Sequence, residues 1–256
     1  MFNLVKYELK GYYKDFIIIL SAITLANLFL FTVAQWPPQG KFFFSTLITF
    51  AAMIVVFVWN IKLFSRDMYE DSGYLLFTLP QSGYSILGAK LVTTIIQVAI
   101  VGLVAGVFNL IHLRNIVNFK EFFSSLPNLM NNVNIGFLIF LAIISILEYV
   151  YFLLSIYFSI SLSKVAIKNK KMGKLGGFVI FIVLSLIVGK ITQLLTVTFP
   201  EVFNINILTA QGELNLGVGL GIMVVPVNIA AAAFNILFFM VMYIATAFIL
   251  EKKVDF

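Results

Sequence analysis

Six long apolar runs dominate the chain, and short polar segments separate them. The runs cover residues 16–35, 42–61, 91–112, 135–162, 177–199 and 228–250. Each has about 20 residues or more with almost no charge, the length that an α-helix needs to cross a bilayer. Continuous apolar runs lack the alternation of a transmembrane β-strand, and lipid leaves only helix or closed barrel for the backbone. The pattern therefore predicts an all-α, polytopic membrane protein with six transmembrane helices in a single domain, 1–256.

A different periodicity precedes the first run. In a helix formed by residues 1–15, one face would carry apolar side chains and another would carry Lys6, Lys10 and Lys14. Such a segment is typical of an amphipathic helix that lies in the membrane interface, with its lysines near lipid phosphates. The simpler interpretation is a basic flank that only sets topology. We expect the interfacial helix, with membrane lipid as its partner, and we expect the first run to be retained because it exceeds the usual length of a signal-peptide core.

Composition agrees with a membrane protein and excludes several kinds of site. Hydrophobic residues make up 61% of the chain and charged residues 11%, whereas charged residues make up about a quarter of an ordinary soluble domain. Cysteine is absent, so the chain has no disulfide, thiolate metal site or cysteine nucleophile. The net charge of +6 would suit nucleic acid, but most charges lie at the predicted membrane boundaries. We therefore expect no nucleic-acid partner.

The distribution of Lys and Arg predicts the orientation. If the N-terminus is inside, the inner segments hold thirteen of the 17 Lys and Arg residues, the outer segments hold three, and Lys190 lies within a run. Cationic loops resist translocation, so the richer side is expected to be the cytoplasm. The sequence thus predicts both termini inside, in a multi-pass protein of the cytoplasmic membrane.

The polar segment 62–90 combines acidic with apolar residues on this inner side. Asp67, Glu70 and Asp71 alternate there with aromatic and aliphatic side chains. The apolar members could pack under the helix bundle, or they could dock in a groove of a cytoplasmic partner. Acidic residues beside an apolar stripe favour a partner of complementary charge.

Three stretches of the chain carry a family resemblance. They are the opening Leu4–Lys10, the run Asp71–Pro80 that precedes Leu87–Lys90, and the ending Leu250–Asp255. Together with the six-span layout, they resemble small ABC-2-type ABC transporter permeases of Gram-positive bacteria, of the kind that export peptides or antimicrobials. The Gly-Tyr-Leu-x-Phe-Thr-Leu-Pro run within the second stretch is the most specific of the three.

The resemblance implies the transmembrane subunit of an ATP-driven exporter, which moves an amphipathic or hydrophobic substrate, such as a peptide, by alternating access. It implies two separate ABC ATPase subunits, which hold ATP and Mg, and a second permease copy or paralogue. It also implies that residues 1–15 form an elbow helix and that 62–90 is the segment that couples to the ATPase. The residues expected to contact the ATPase are Asp67, Met68, Tyr69, Glu70, Asp71, Tyr74 and Leu75.

The chain itself is not expected to be an enzyme or to bind a cofactor. It lacks the Gly-x-x-x-x-Gly-Lys-Ser/Thr loop that cradles phosphates, and we expect neither catalytic nor metal-binding residues. An intramembrane enzyme would need a paired acid and base, an activated nucleophile or a metal cluster within the spans. That enzyme and a non-transporting membrane scaffold are the alternative functions.

Two further features lie inside the runs. Glu148 and Lys190 are the charges within the fourth and fifth runs, and counting from opposite ends of antiparallel helices gives them comparable depth. They could form a structural ion pair, or mark the substrate pathway or a permease interface. Gly102 and Gly106 form a Gly-x-x-x-Gly pair that predicts close helix packing, within the chain or between subunits. The resemblance also implies a short re-entrant or outer helix before the last run, which residues 215–225 could form; a compact outer loop is the alternative.

Overall fold

The computed structural model describes residues 2–33, 35–70, 81–116, 135–167, 170–206 and 224–252. Its helices are α1 (Phe2–Thr32), α2 (Pro38–Tyr69), α3 (Gly83–Arg114), α4 (Ile135–Ala166), α5 (Lys170–Thr198) and α6 (Ile229–Lys252). All six are long and apolar enough to cross a membrane. The prediction of an all-α, polytopic membrane protein is therefore confirmed.

The helices extend beyond the apolar runs at one end of the bundle. Helix α2 continues to Tyr69 and α3 begins at Gly83, each about two turns past its run. We call this the basic end, because it carries Arg66, Lys90, Lys164 and Lys174. Much of the predicted polar loop 62–90 is thus helical. Helix α1 runs from Phe2 to Thr32 without a break, so nothing sets residues 2–15 apart from the first span, and the elbow helix stays a prediction.

Local sequence signals account for several helix boundaries. Pro38 starts α2, where a proline costs nothing because the first backbone N–H of a helix has no partner within it. The Ser82 hydroxyl accepts a hydrogen bond from the Ser85 amide at the start of α3, a normal N-cap. Asn228 accepts from the Ala231 amide at 2.8 Å and donates to the Phe199 carbonyl at 2.7 Å. Asn228 thereby caps α6 and ties it to the end of α5.

A short antiparallel ribbon joins α5 to α6. Strand β1 (Val202–Asn206) pairs with β2 (Val224–Asn228). The sequence predicted no strand in this region. Most of the hypothesised re-entrant segment, 215–223, lies outside the described residues, and its last two residues belong to β2.

The helices pack around two apolar cores. One core lies at the basic end, where Phe64 and Leu87 meet Leu154 and Met242. The other lies between α1, α2 and α3 and includes Val56. Helix α5 sits at the edge of the bundle, packed mainly on α4 and partly on α6, and no residue in its most apolar window is buried.

Candidate functional site

Three helices meet at a buried ion cluster at the basic end. The Lys90 Nζ of α3 donates to Asp67 Oδ2 of α2 at 2.6 Å and to Glu8 Oε1 of α1 at 2.8 Å. Lys90 is only 7% exposed. A buried ammonium is tolerated only where carboxylates surround it closely, so Lys90 holds the three helices in one arrangement.

Arg66 completes the cluster on its outer side. Its guanidinium lies 3.8 Å from Asp67 Oδ1, donates to the Tyr12 hydroxyl and sits 5.2 Å from the centroid of the Tyr12 ring. Two carboxylates and two cations balance each other. We refer to Glu8, Tyr12, Arg66, Asp67 and Lys90 as the charge network.

A neutral polar cluster continues the network towards the bundle interior. Asn60 Nδ2 donates to Gln97 Oε1 at 2.9 Å, and the Thr94 hydroxyl donates to Asn60 Oδ1 at 2.8 Å. The Tyr157 hydroxyl of α4 donates to the Asn60 carbonyl at 3.3 Å. Helices α2, α3 and α4 are therefore joined by hydrogen bonds as well as by apolar packing.

Of the residues in this site, only Asp67 was predicted from the sequence to have a functional role. A usable signal was present, because polar residues recur at positions 90, 94 and 97 of α3 and at 60 and 67 of α2. Spacings of three, four and seven place residues on one helix face. A polar stripe along an otherwise apolar helix indicates a buried network.

Three residues predicted to contact an ATPase lie inside the bundle instead: Asp67, which belongs to the charge network, Met68 and Tyr69. Met68 is 0% and Tyr69 2% exposed. The Tyr69 hydroxyl donates to the Ile160 carbonyl at 3.4 Å, and its ring lies so close to Gly173 that a Cβ there would be 2.7 Å from it. Because α2 extends through Tyr69, these side chains belong to the core. This corrects their expected role as surface contacts and agrees with the alternative of packing under the bundle.

The remaining predicted contacts follow the end of α2. Glu70 is exposed, and its Oε1 lies 4.0 Å from Lys174 Nζ. The residues Asp71, Tyr74 and Leu75 lie outside the described residues. Glu70 is thus the predicted contact that the structure places on the surface.

The first residue of α3 is also held tightly against α6. Gly83, the first residue of α3, fits against the Ala247 carbonyl and the Glu251 Cβ so closely that a side chain would clash. Its amide donates to Glu251 Oε2 at 3.2 Å. We call residues 70–82 the anchored segment, because Tyr69 fixes one end against α4 and α5, and Gly83 fixes the other against α6.

The three lysines of residues 2–15 lie on the exposed side of α1, and their place in the membrane interface stays a prediction. Lys6, Lys10 and Lys14 are all exposed, whereas Val5 is buried. Glu8 of the same helix points into the charge network. The amphipathic pattern of residues 2–15 thus serves to pack α1 against α2 and α3.

Glu148 and Lys190 do not form the predicted ion pair within the described residues. Both are exposed, and Lys190 Nζ donates to Gln193 Oε1 at 3.3 Å. The two residues lie at similar depth, but both face outwards from the bundle. A charge at the bilayer centre costs at least about 2.5 kcal/mol, so this outward face requires a polar environment.

The Gly-x-x-x-Gly pair does not mark a close helix contact within the described bundle. A Cβ at Gly102 would meet only the flexible end of Met53 at 3.3 Å, and a Cβ at Gly106 would meet nothing within 4 Å. Tighter approaches are found at Gly83, Gly173 and Gly176. Within the described residues only Gly102 of the pair has a near neighbour, and a contact of the pair between subunits stays a prediction.

Comparisons with protein-family models, with curated proteins and with solved structures find no match to this chain.

Proposed function

We propose that the chain is the transmembrane permease subunit of an ATP-driven exporter of the ABC-2 type. It works in the cytoplasmic membrane with both termini inside, together with two separate ATPase subunits and a second permease copy or paralogue. Its substrate is amphipathic or hydrophobic, such as a peptide, and moves by alternating access. The proposal combines the resemblance of the sequence with the way the anchored segment is held.

The contacts of the two residues that flank the anchored segment, together with those of the charge network, support the proposal. Its first end leaves α2 at Tyr69, which packs between α4 and α5, and its second end enters α3 at Gly83, which packs on α6. The Lys90–Asp67 ion pair joins α3 to α2 near these two ends, and the Lys90–Glu8 ion pair joins α3 to α1. Packed side chains and hydrogen-bond networks carry energetic coupling between distant sites. A push on residues 70–82 therefore reaches all six helices.

The charge of the anchored segment suits a basic docking surface. Glu70 is exposed, and Asp71 follows it directly. Complementary charges at a protein interface steer association and fix the register of the partners. We therefore assign Glu70 and Asp71 to the ATPase contact.

The test is co-purification of the tagged chain with an ABC ATPase from host membranes. The double variant Glu70→Lys with Asp71→Lys should lower ATPase recovery by at least about tenfold, because like charges across an interface cost several kcal/mol. Asp15→Lys is the matched control, since Asp15 is an exposed acidic residue of α1, and should leave recovery unchanged. Equal recovery with the double variant would refute the docking assignment. ATP hydrolysis by the purified chain alone would refute the class.

A further inference from the structure

The outward face formed by α4 and α5 carries two opposite charges. Glu148 and Lys190 are exposed there, and no ion pair joins either of them to another of the described residues. Around them the surface is apolar, with Leu147, Leu186 and Ile187 all exposed. Such a face is stable in a membrane only if something satisfies both charges.

Counting along the two helices gives the two charges similar depths. Gly177 of α5 lies beside Ile160 of α4, because an ideal Cβ built on Gly177 would be 3.4 Å from the Ile160 Cα. From this point Glu148 is about 18 Å along α4 and Lys190 about 20 Å along α5 in the same direction, at 1.5 Å per residue. The difference is well within the reach of a lysine side chain.

We propose that this face pairs with the same face of a second copy of the chain, so that Glu148 of each copy binds Lys190 of the other. Two copies in one membrane are related by a two-fold axis along the membrane normal, which preserves depth. A residue therefore meets only groups at its own depth across such an interface. Opposite charges at equal depth on one face make that face complementary to itself.

The shape of the bundle agrees with this occupant. Helix α5 packs on the rest of the chain along one side only, and its most apolar window has no buried residue. A second α5 and α4 would cover it and supply the missing counter-ions. The inference rests on the proposed function in one respect, since a transport pathway between two permease copies gives the pairing its use.

The main experiment exchanges charges between two co-expressed copies that carry different tags. Glu148→Lys paired with itself should recover less than a tenth of the wild-type partner, and so should Lys190→Glu paired with itself. Glu148→Lys paired with Lys190→Glu should return to wild-type recovery, because both contacts between the copies then join opposite charges. Each chain of that mixed pair carries like charges at both positions, so a contact within one chain predicts no rescue.

Two results would overturn the proposal. One is recovery of the mixed pair that is no better than that of the single variants. The other is wild-type recovery for Glu148→Lys or Lys190→Glu with itself.

Chemical cross-linking tests the interface between the two copies if a reversed charge prevents membrane insertion. The chain contains no cysteine, so single cysteines can be introduced without removing native ones. A copy with Glu148→Cys and a copy with Lys190→Cys should be joined by a short bismaleimide in membranes. The control replaces the first with Leu103→Cys, at an exposed position of α3, and should give no product. Equal products, or none from the test pair, would overturn the interface.

Both readouts need only the permease chain. Failure of ATPase co-purification with intact cross-linking would count against the proposed function alone. Intact ATPase co-purification without the cross-link would count against this interface alone.

Discussion

The charge network and the outward face both carry opposite charges, but only the network pairs them within the described residues. In the network, Glu8 and Asp67 lie within 2.8 Å of Lys90, and the chain satisfies its own charges. On the outward face, Glu148 and Lys190 are both exposed at similar depths, but the bundle brings no counter-ion to either among the described residues. The first arrangement fixes the fold of one chain. The second leaves two charged side chains that only another molecule or water can neutralise or solvate.

The largest expected loss of stability comes from removing Lys90, the shared cation of the charge network. Lys90→Met leaves the half-buried Glu8 without a counter-ion and leaves the buried Asp67 with Arg66 alone, 3.8 Å away, and breaking a buried pair from one side costs about 3–5 kcal/mol. Denaturant unfolding of the purified protein in micelles, followed by helical circular dichroism, measures it. Lys10→Met is the control, because Lys10 is exposed on the same end of the molecule. An equal loss of stability in both variants would contradict the role given to the network.

The second effect concerns the anchor of α3. Gly83→Ala places a methyl group against the Ala247 carbonyl, and overpacking of this kind costs about 1–3 kcal/mol. Gly106→Ala meets open space and should be neutral or slightly stabilising, since alanine is the better helix former. The same unfolding measurement compares the two. Equal stability of the two variants would show that Gly83 is not a tight contact.

A smaller effect is expected for the neutral polar cluster. A double-mutant cycle with Asn60→Ala and Gln97→Ala should give a coupling energy between about 0.6 and about 1.7 kcal/mol, the range for hydrogen bonds between membrane helices. Asn60→Ala with Asn109→Ala is the comparison cycle, because Asn109 bonds to Thr49 and not to Asn60. No coupling in the first cycle would exclude the Asn60–Gln97 bond.

The smallest effect should come from the outward face. Glu148→Gln in the detergent-solubilised monomer should change the free energy of unfolding by no more than about 0.5 kcal/mol, as for other surface substitutions. Unfolding is followed at a protein concentration where the chain is monomeric. A loss comparable to that of Lys90→Met would mean that Glu148 has a partner within its own chain, and the contrast between the two regions would disappear.

Hydropathy predicted the six helices, because lipid solvation imposes a length and a continuous apolar character on each span. It could not place the helix ends, since Lys62, Arg66 and Asp67 look solvated until Lys90 is seen beside Asp67. The stripe of polar residues on α3 was readable from spacing. The contact of Gly83 with Ala247 was not, because it depends on how residues far apart in the chain pack. For the same reason, similar depth could not decide between an ion pair of Glu148 with Lys190 within the chain and the alternative roles of the two residues.

The order of the charged residues along the chain has a consequence for biosynthesis. Glu8 and Asp67 leave the ribosome before Lys90 does, so both carboxylates wait for their common counter-ion while the first two helices are already made. Arg66 is the only member of the network that can neutralise one of them during that interval. The first three helices therefore reach their final arrangement only after residue 90 has emerged, and a nascent chain stopped before that point should be a preferred substrate for membrane quality control.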